Sequence, residues 1–172
     1  MKGSEKTIVL LNDLLAGELA AINQYIVHSE MCANWDYERL YMSEEKRLID
    51  EMKHAGKLIS RIILLEGTPI VDTLNKIPAC ASVEKQLNTE RNAKKRAIIA
   101  YRSAIKLYSN LGDLGTRVML GEILKDEENH LCQIESQIYQ ITHMGICSYL
   151  SGQEDYHLDH IESQVVQQPI WA

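Results

Sequence analysis

Apolar residues recur every three or four positions along four long stretches of the chain, the spacing that places them on one face of an α-helix. The pattern predicts helices over about 4–34, 37–65, 82–110 and 113–143, and a short fifth helix over 146–152. Gly67 and Pro69 end the second stretch, because glycine favours a left-handed cap and proline cannot continue a helix. The segment 67–81 is therefore the one long connection.

Helices of this length, joined by a short, a long and a short connection, are typical of a four-helix bundle with one long crossover. The first and second helices are expected to be antiparallel, the second and third parallel, and the third and fourth antiparallel. The predicted fold class is all-α. Residues 1–155 are expected to form one domain, and residues 156–172 are expected to be a flexible C-terminal tail.

The composition agrees with a globular domain and excludes some functions. The chain has 172 residues, of which 45% are hydrophobic and 24% charged. A net charge of −6 disfavours binding to nucleic-acid phosphates. The apolar stretch 8–22 carries Asn12, Asp13 and Glu18, so it predicts neither a membrane span nor a secretory signal. Four distant cysteines without a C-x-x-C pair favour reduced thiols and a cytoplasmic location.

The predicted inward faces carry charged residues at mid-height. Glu51 with His54, and Glu127 with His130, repeat one E-x-x-H pattern whose two side chains share a helix face. Glu18 lies at the middle of the first helix. Three buried carboxylates need compensating cations, and carboxylate with imidazole suits divalent iron, manganese or zinc. One such pattern arises easily by chance, but two on core faces indicate a site descended from a di-metal centre.

The third helix brings a lysine to the same level. Lys94 is the inward residue nearest its midpoint, and the nearest acid on that face, Glu90, lies about one turn away. An ammonium group has three donors and no lone pair, so it cannot ligate a metal while charged. We therefore expect Lys94 to form ion pairs with the carboxylates. The open alternative is that Lys94 extends toward solvent and weak single-metal binding persists.

A second apolar face predicts a partner. Met52 follows Glu51 and therefore points about 100° away from the predicted inward face of the second helix. It shares this outer face with Ile49, Ile59 and Ile63. The first helix has a neighbouring apolar strip formed by Leu19, Ile22, Asn23 and Ile26. Two such faces indicate an interaction surface. His28 and His143 are expected to be surface or interface residues rather than ligands.

Extended segments of the chain resemble the bacterioferritins, from Met1 to about residue 155. The matching segments are MKG at 1–3, ELAAINQY at 18–25, IDEMKHA at 49–55 and EILKDEENH at 122–130. The resemblance implies a hollow shell of two dozen subunits that oxidises ferrous iron and stores ferric mineral. It implies that the iron ligands are Glu18, Glu51, His54, Glu127 and His130. Tyr25 would supply a nearby hydroxyl, and Lys94 occupies the position of an expected bridging glutamate.

The same resemblance implies a haem b at a two-fold dimer interface. Two symmetry-related copies of Met52 would ligate the haem iron from both sides, as the soft thioether permits. The pocket residues implied are Leu19, Ile22, Asn23, Ile26 and Ile49. Without the resemblance, we would interpret a methionine at this position as an apolar residue that packs in a subunit interface.

Three functions follow as alternatives. The first is a haem-carrying iron-storage subunit whose own di-iron ferroxidase centre is impaired by Lys94. It would depend on a competent sister subunit in a mixed shell and would be served by a ferredoxin-type reductant. The second is an active ferroxidase that uses oxygen or peroxide. The third is a structural or haem electron-relay subunit with little mineral. Lys94 favours the first and third over the second.

Overall fold

The computed structural model describes residues 3–72 and 80–154, and within these ranges all regular structure is helical. The helices are α1 (Glu5–Asn34), α2 (Glu38–Leu64), α3 (Val83–Asn110), α4 (Leu114–Met144) and the short α5 (Ile146–Ser151). The predicted all-α class is confirmed, and every predicted bound lies within one residue of the observed one. The predicted tail, 156–172, lies outside the described residues. None of the described helices is long and apolar enough to cross a bilayer.

Side-chain caps set the helix starts. The Ser4 hydroxyl accepts a hydrogen bond from the Thr7 backbone N–H at the start of α1, and Ser82 caps α3 in the same way. Asp113 accepts from the backbone N–H of Thr116 at 3.0 Å and starts α4. These contacts satisfy N–H groups that have no partner within the helix. Gly145 has a φ of 80°, which turns the chain sharply between α4 and α5.

The bundle core has three layers along its length. α1 packs along α2, and α3 packs along α4. One end is filled by an apolar cluster that includes Leu11, Leu15, Leu58, Ile62, Tyr108 and Leu120. The other end is filled by a second cluster that includes Cys32, Leu40, Leu87, Ile134 and Tyr149. Charged residues fill the middle layer, so the apolar ends hold the helices around a polar centre.

One sequence-based expectation needs correction. His28 was expected at the surface or at an interface, but its side chain is completely buried in the middle layer, where it bonds to Glu90. On α4, Val118 is 50% exposed, and Thr116 and Leu120 occupy the inward positions. His143 is exposed as expected.

Candidate metal centre

Each of the four long helices contributes charged side chains to the middle layer. α2 and α4 each present a glutamate and a histidine from the same face, because residues three apart are neighbours on a helix. α1 presents a glutamate and α3 a lysine. These six residues, each no more than 5% exposed, are Glu18, Glu51, His54, Lys94, Glu127 and His130. The structure thus brings every predicted iron ligand into one cluster.

Lys94 lies inside this cluster. Its Nζ is 2.5 Å from Glu51 Oε1, and 2.8 Å and 3.0 Å from the two carboxylate oxygens of Glu127. The lysine is only 3% exposed. The predicted ion pairs are therefore confirmed, and the alternative in which Lys94 extends toward solvent is wrong. Nζ also lies 5.6 Å from the centroid of the Tyr25 ring, close enough for a cation–π contact.

Four side chains leave a compact set of donor atoms beside Lys94. Glu18, Glu51, His54 and Glu127 each offer one atom, and these atoms all lie within 4.8 Å of one another. His54 Nδ1 is 3.4 Å from Glu51 Oε2, 3.6 Å from Glu127 Oε1 and 3.7 Å from Glu18 Oε2. Both His54 Nδ1 and Glu51 Oε2 are buried without a hydrogen-bond partner. One imidazole nitrogen and three carboxylate oxygens suit a divalent transition metal.

The second histidine lies outside that compact set. His130 Nδ1 is 3.2 Å from Glu51 Oε1, which is the oxygen that Lys94 already contacts. Its distance to Glu127 Oε1 is 3.9 Å. The two E-x-x-H patterns are therefore equivalent in sequence but not in geometry.

Two aspartates orient the histidines. His54 Nε2 lies 3.2 Å from Asp126 Oδ2, and His130 Nε2 lies 3.4 Å from Asp50 Oδ2. Such carboxylate partners direct the opposite ring nitrogen, Nδ1, toward the cluster. Sequence reasoning missed both aspartates. The signal was present, because each glutamate of the repeated pattern follows an aspartate and the pattern is D-E-x-x-H.

Tyr101 is the other missed residue. Its hydroxyl donates a short hydrogen bond to Glu18 Oε1, and the side chain is 1% exposed. Tyr101 lies seven residues after Lys94, a spacing that places both residues on one face of α3. This spacing gives no sign that the phenol reaches the carboxylate of α1, because that depends on the distance between the two helices.

Burial and mutual contact shift the ionisation of the cluster. Burial raises the pKa of Glu18 to about 8, although His54 opposes the rise. Burial alone would lower the pKa of His54, but the Glu18 and Glu51 carboxylates outweigh it and raise that pKa to about 10. Burial would raise the pKa of Glu51, but Lys94 and the histidines hold it well below the usual range. Without metal, Lys94 and bound protons therefore balance the carboxylates.

A second group of buried charges lies next to the candidate centre. Arg47 Nη1 is 2.6 Å from Glu44 Oε1 and 3.6 Å from Glu90 Oε2. His28 Nδ1 is 2.5 Å from Glu90 Oε1. One guanidinium therefore faces two carboxylates from α2 and α3. Burial raises the pKa of Glu44 to about 8 and that of Glu90 to about 7, because a single cation does not offset both.

This second group predicts a stability loss toward alkaline pH. Between about pH 4.5 and 8 the folded chain holds protons on Glu44 and Glu90 that the unfolded chain has lost, so the unfolding free energy falls as pH rises. Glu44→Gln should flatten this decline by up to about 1.4 kcal/mol per pH unit. Denaturant unfolding at several pH values measures it, with the exposed Glu38→Gln as the control on the same helix. Equal slopes in both variants would contradict the assignment.

A cleft between α1 and α3 leads to the centre. Its volume is about 490 Å³, and both Glu18 and Lys94 line it. Much of the remaining lining consists of small side chains, namely Gly17, Ala20, Ala21, Ala93, Ala97 and Ala100. The small side chains leave space through which an ion could reach the carboxylates from the surface.

The residues predicted to contact haem lie on the outer faces of α1 and α2. Met52 is 57% exposed, Ile49 51% and Ile26 43%. The other members, Leu19, Ile22 and Asn23, are half-buried, and the Asn23 amide donates to the Leu19 carbonyl within α1. An exposed thioether on an apolar helix face has the chemistry of a soft ligand for haem iron, and its position would allow a second subunit to contribute to the same site.

Comparison with known proteins gives consistent matches. Residues 8–144 match the ferritin-like domain family. The chain is 36% identical to a bacterioferritin from Brucella melitensis over 145 residues, covering 84% of this chain and 90% of that protein. It is 34% identical to a bacterial ferritin from Synechocystis and 35% identical to one from Pseudomonas aeruginosa. Each of these two alignments covers 89% of this chain and 99% of the relative.

Proposed function

The chain belongs to the ferritin-like family, within the bacterioferritins, and on that premise we propose that it is an iron-storage shell subunit whose own di-iron oxidation centre is impaired. The observation that carries the proposal is the position of Lys94 Nζ, within 3.0 Å of both Glu51 and Glu127. In this proposal, ferrous iron is the substrate and ferric mineral the stored product.

The electrostatic reason is the extra positive charge. Glu18, Glu51 and Glu127 supply three negative charges, which balance the lysine together with one divalent cation but not with two. A second divalent ion would meet an ammonium only a few ångströms away in a buried site, where repulsion is weakly screened. Loading two irons therefore requires Lys94 to leave its ion pairs.

Dependence on a sister subunit is a second part of the proposal. A shell that mixes this chain with a subunit retaining the bridging glutamate would oxidise iron at the sister's centres and store mineral in the shared cavity. A two-dozen-subunit assembly and a ferredoxin-type reductant belong to the same proposal, as does a cytoplasmic location. The widely spaced cysteines support the last of these.

Aerobic iron loading tests this proposal. Shells of this chain alone should oxidise ferrous iron slowly, and shells co-expressed with a sister subunit should oxidise it quickly. Fast oxidation by this chain alone would contradict impairment and support the active-ferroxidase alternative. Little mineral in either preparation would support the structural or electron-relay alternative.

Haem b binding at a subunit interface is the third part. The exposed Met52 thioether would ligate the haem iron, with Leu19, Ile22, Asn23, Ile26 and Ile49 against the ring. The haem would supply one-electron transfer. The outward apolar face of Ile49 and Ile26 supports this assignment, because such a face needs a partner.

Met52→Leu is expected to abolish the absorption of low-spin haem while leaving the fold intact. The reason is that leucine fills similar volume but has no sulfur ligand. Ultraviolet–visible spectroscopy of the purified shell measures the effect, and Met42→Leu, at another exposed methionine of α2, is the control. Unchanged haem absorption in Met52→Leu would contradict the assignment.

A further inference from the structure

We propose that the cleft between α1 and α3 binds a small planar aromatic carboxylate. Arg96, Gln24 and Tyr25 would hold its anionic head group, and its ring system would lie between the small side chains of the two helices. None of these three polar residues is a predicted iron ligand, so the site is distinct from metal coordination. The inference goes beyond the proposed function and does not depend on it.

The cleft has the size and the lining of a pocket for a small organic molecule. Its volume is about 490 Å³. Such pockets typically measure roughly 300–1,000 Å³ and combine apolar walls with a few polar groups. Small side chains form both walls, namely Gly17, Ala20 and Ala21 on α1 and Ala93, Ala97 and Ala100 on α3. Two facing walls without long side chains leave a slot, which fits a flat ring system better than a branched molecule.

Three polar side chains in the lining have no partner within the described part of the chain. Gln24 is only 8% exposed, and its amide makes no hydrogen bond to any described residue. Tyr25 is 2% exposed, and its ring faces the Lys94 ammonium while its hydroxyl is likewise unpartnered there. Arg96 is exposed at the mouth of the cleft and forms no ion pair with a described residue. Because buried polar groups are normally hydrogen-bonded, the amide and the hydroxyl point to a ligand.

The register of the helices brings these three groups to one level of the bundle. α1 and α3 are antiparallel, as the contacts between them show, and the contact of His28 with Glu90 fixes their register. Counted from this contact at 1.5 Å per residue, Gln24 and Tyr25 both lie within about 5 Å of the level of Arg96 along the bundle. A guanidinium, an amide and a phenol can then all donate to one group. A carboxylate matches them, because it only accepts and pairs strongly with arginine.

The acidic side chains of the cleft leave room for a negative head group. Most of them already contact a donor, in the pairs Glu18 with Tyr101, Glu90 with His28, and Glu127 with Lys94. The other acid in the lining, Asp13, is exposed and lies about 16 Å from Gln24 along α1. The unpaired charge near Gln24 is therefore the positive charge of Arg96.

Ligand titration of the metal-free, assembled full-length chain tests the inference. Calorimetry with 2-naphthoate, a flat two-ring carboxylate, should give one saturable site per chain. 2-Naphthamide has the same rings without the charge and should bind at least ~10-fold more weakly, because charged hydrogen bonds are stronger than neutral ones. Inorganic phosphate has the charge without the rings and should also bind at least ~10-fold more weakly, because it buries no apolar surface.

Two variants locate the binding in the cleft. Arg96→Gln removes the guanidinium, and Ala97→Leu fills the slot, so each should weaken 2-naphthoate binding at least ~10-fold. Arg102→Gln is the matched control, because this arginine is exposed on the same helix but pairs with Glu128 on α4. Its affinity should stay within about two-fold of the parent. Thermal unfolding verifies that Ala97→Leu folds, and the exposed position of Arg96 makes its variant independent of core packing.

The contrary outcomes are equally specific. No saturable binding of 2-naphthoate to the parent chain would overturn the inference, and so would equal affinities for 2-naphthoate and 2-naphthamide. Equal losses in Arg96→Gln and Arg102→Gln would overturn it by assigning the binding to the general positive charge of α3. These titrations contain no metal ion, so they leave the impaired oxidation centre untested, and the rate of iron oxidation in turn does not affect them.

Discussion

Replacing Lys94 with glutamate is expected to raise the initial rate of ferrous-iron oxidation at least ~10-fold in shells made of this chain alone. The substitution removes the ammonium that pairs with Glu51 and Glu127 and supplies a carboxylate in its place. A second divalent ion then meets a ligand instead of a like charge. His130, whose Nδ1 has no hydrogen-bond partner, gains a metal to bind. Stopped-flow absorbance of ferric product in air measures the rate.

The neighbouring lysine provides the control for this prediction. Lys95 is on the same helix, is half-exposed and pairs with Glu135 on the surface of α4. Lys95→Glu makes the same change in net charge and therefore tests whether a more acidic shell attracts iron faster without any change at the centre. An equal rate increase in Lys95→Glu and Lys94→Glu would mean that the faster oxidation comes from the more negative charge of the shell and not from a change at the centre. An unchanged rate in Lys94→Glu would remove the reason for calling this centre impaired.

The helices were predictable from the sequence because their apolar spacing is regular and their ends carry strong signals. Ser4, Ser82 and Gly145 lie at the observed boundaries for reasons that are local in the chain. The alignment of Glu18, Lys94 and the two E-x-x-H patterns was also predictable, because mid-helix positions meet in a bundle. Lys94 was identified as inward from the helical period of α3, and it is buried as expected.

Contacts between helices were not predictable in the same way. Arg47 was not among the residues predicted to be buried, and its burial depends on Glu44 one turn away and on Glu90 from α3. His28 was predicted to lie at the surface or at an interface, because a single histidine in a helix gives no sign of a buried partner across the bundle. The unequal positions of His54 and His130 in the centre were likewise not predictable. Lys94 contacts Oε1 of Glu51 and not Oε2, and this choice depends on the side-chain rotamers of both residues.

Removing the buried cation without adding a ligand is expected to be the most destabilising change at the centre. Lys94→Met keeps the length and the apolar stem of the side chain but leaves Glu51 and Glu127 buried without their counter-ion. Loss of one partner from a buried ion pair costs about 3–5 kcal/mol. For a chain of this size, that corresponds to a decrease of roughly 10 °C in the midpoint of thermal unfolding. Calorimetry of metal-free shells measures the decrease.

Lys95→Met is the matched control, because the exposed pair with Glu135 should contribute less than about 1 kcal/mol.

The pH dependence of the deficit shows whether lost charge or lost packing causes the destabilisation of Lys94→Met. In the parent chain the depressed pKa of Glu51 stabilises the fold above the unfolded value near 4.5, and this contribution is lost as pH falls through the lower folded value. Lys94→Met lacks this contribution, so the deficit should be large at pH 7 and should shrink as the pH falls below about 4.5. A deficit independent of pH would indicate lost packing rather than lost charge.

Added Zn²⁺ extends the same test, because a divalent ion can supply the positive charge that Lys94→Met has lost. The unfolding midpoint of this variant should rise more with Zn²⁺ than that of the parent chain, since both carboxylates are then free to bind. Equal shifts in the two proteins would mean that the ammonium and the metal do not compete for Glu51 and Glu127. Lys94 would then be a structural ion-pair partner with no bearing on how the centre binds iron.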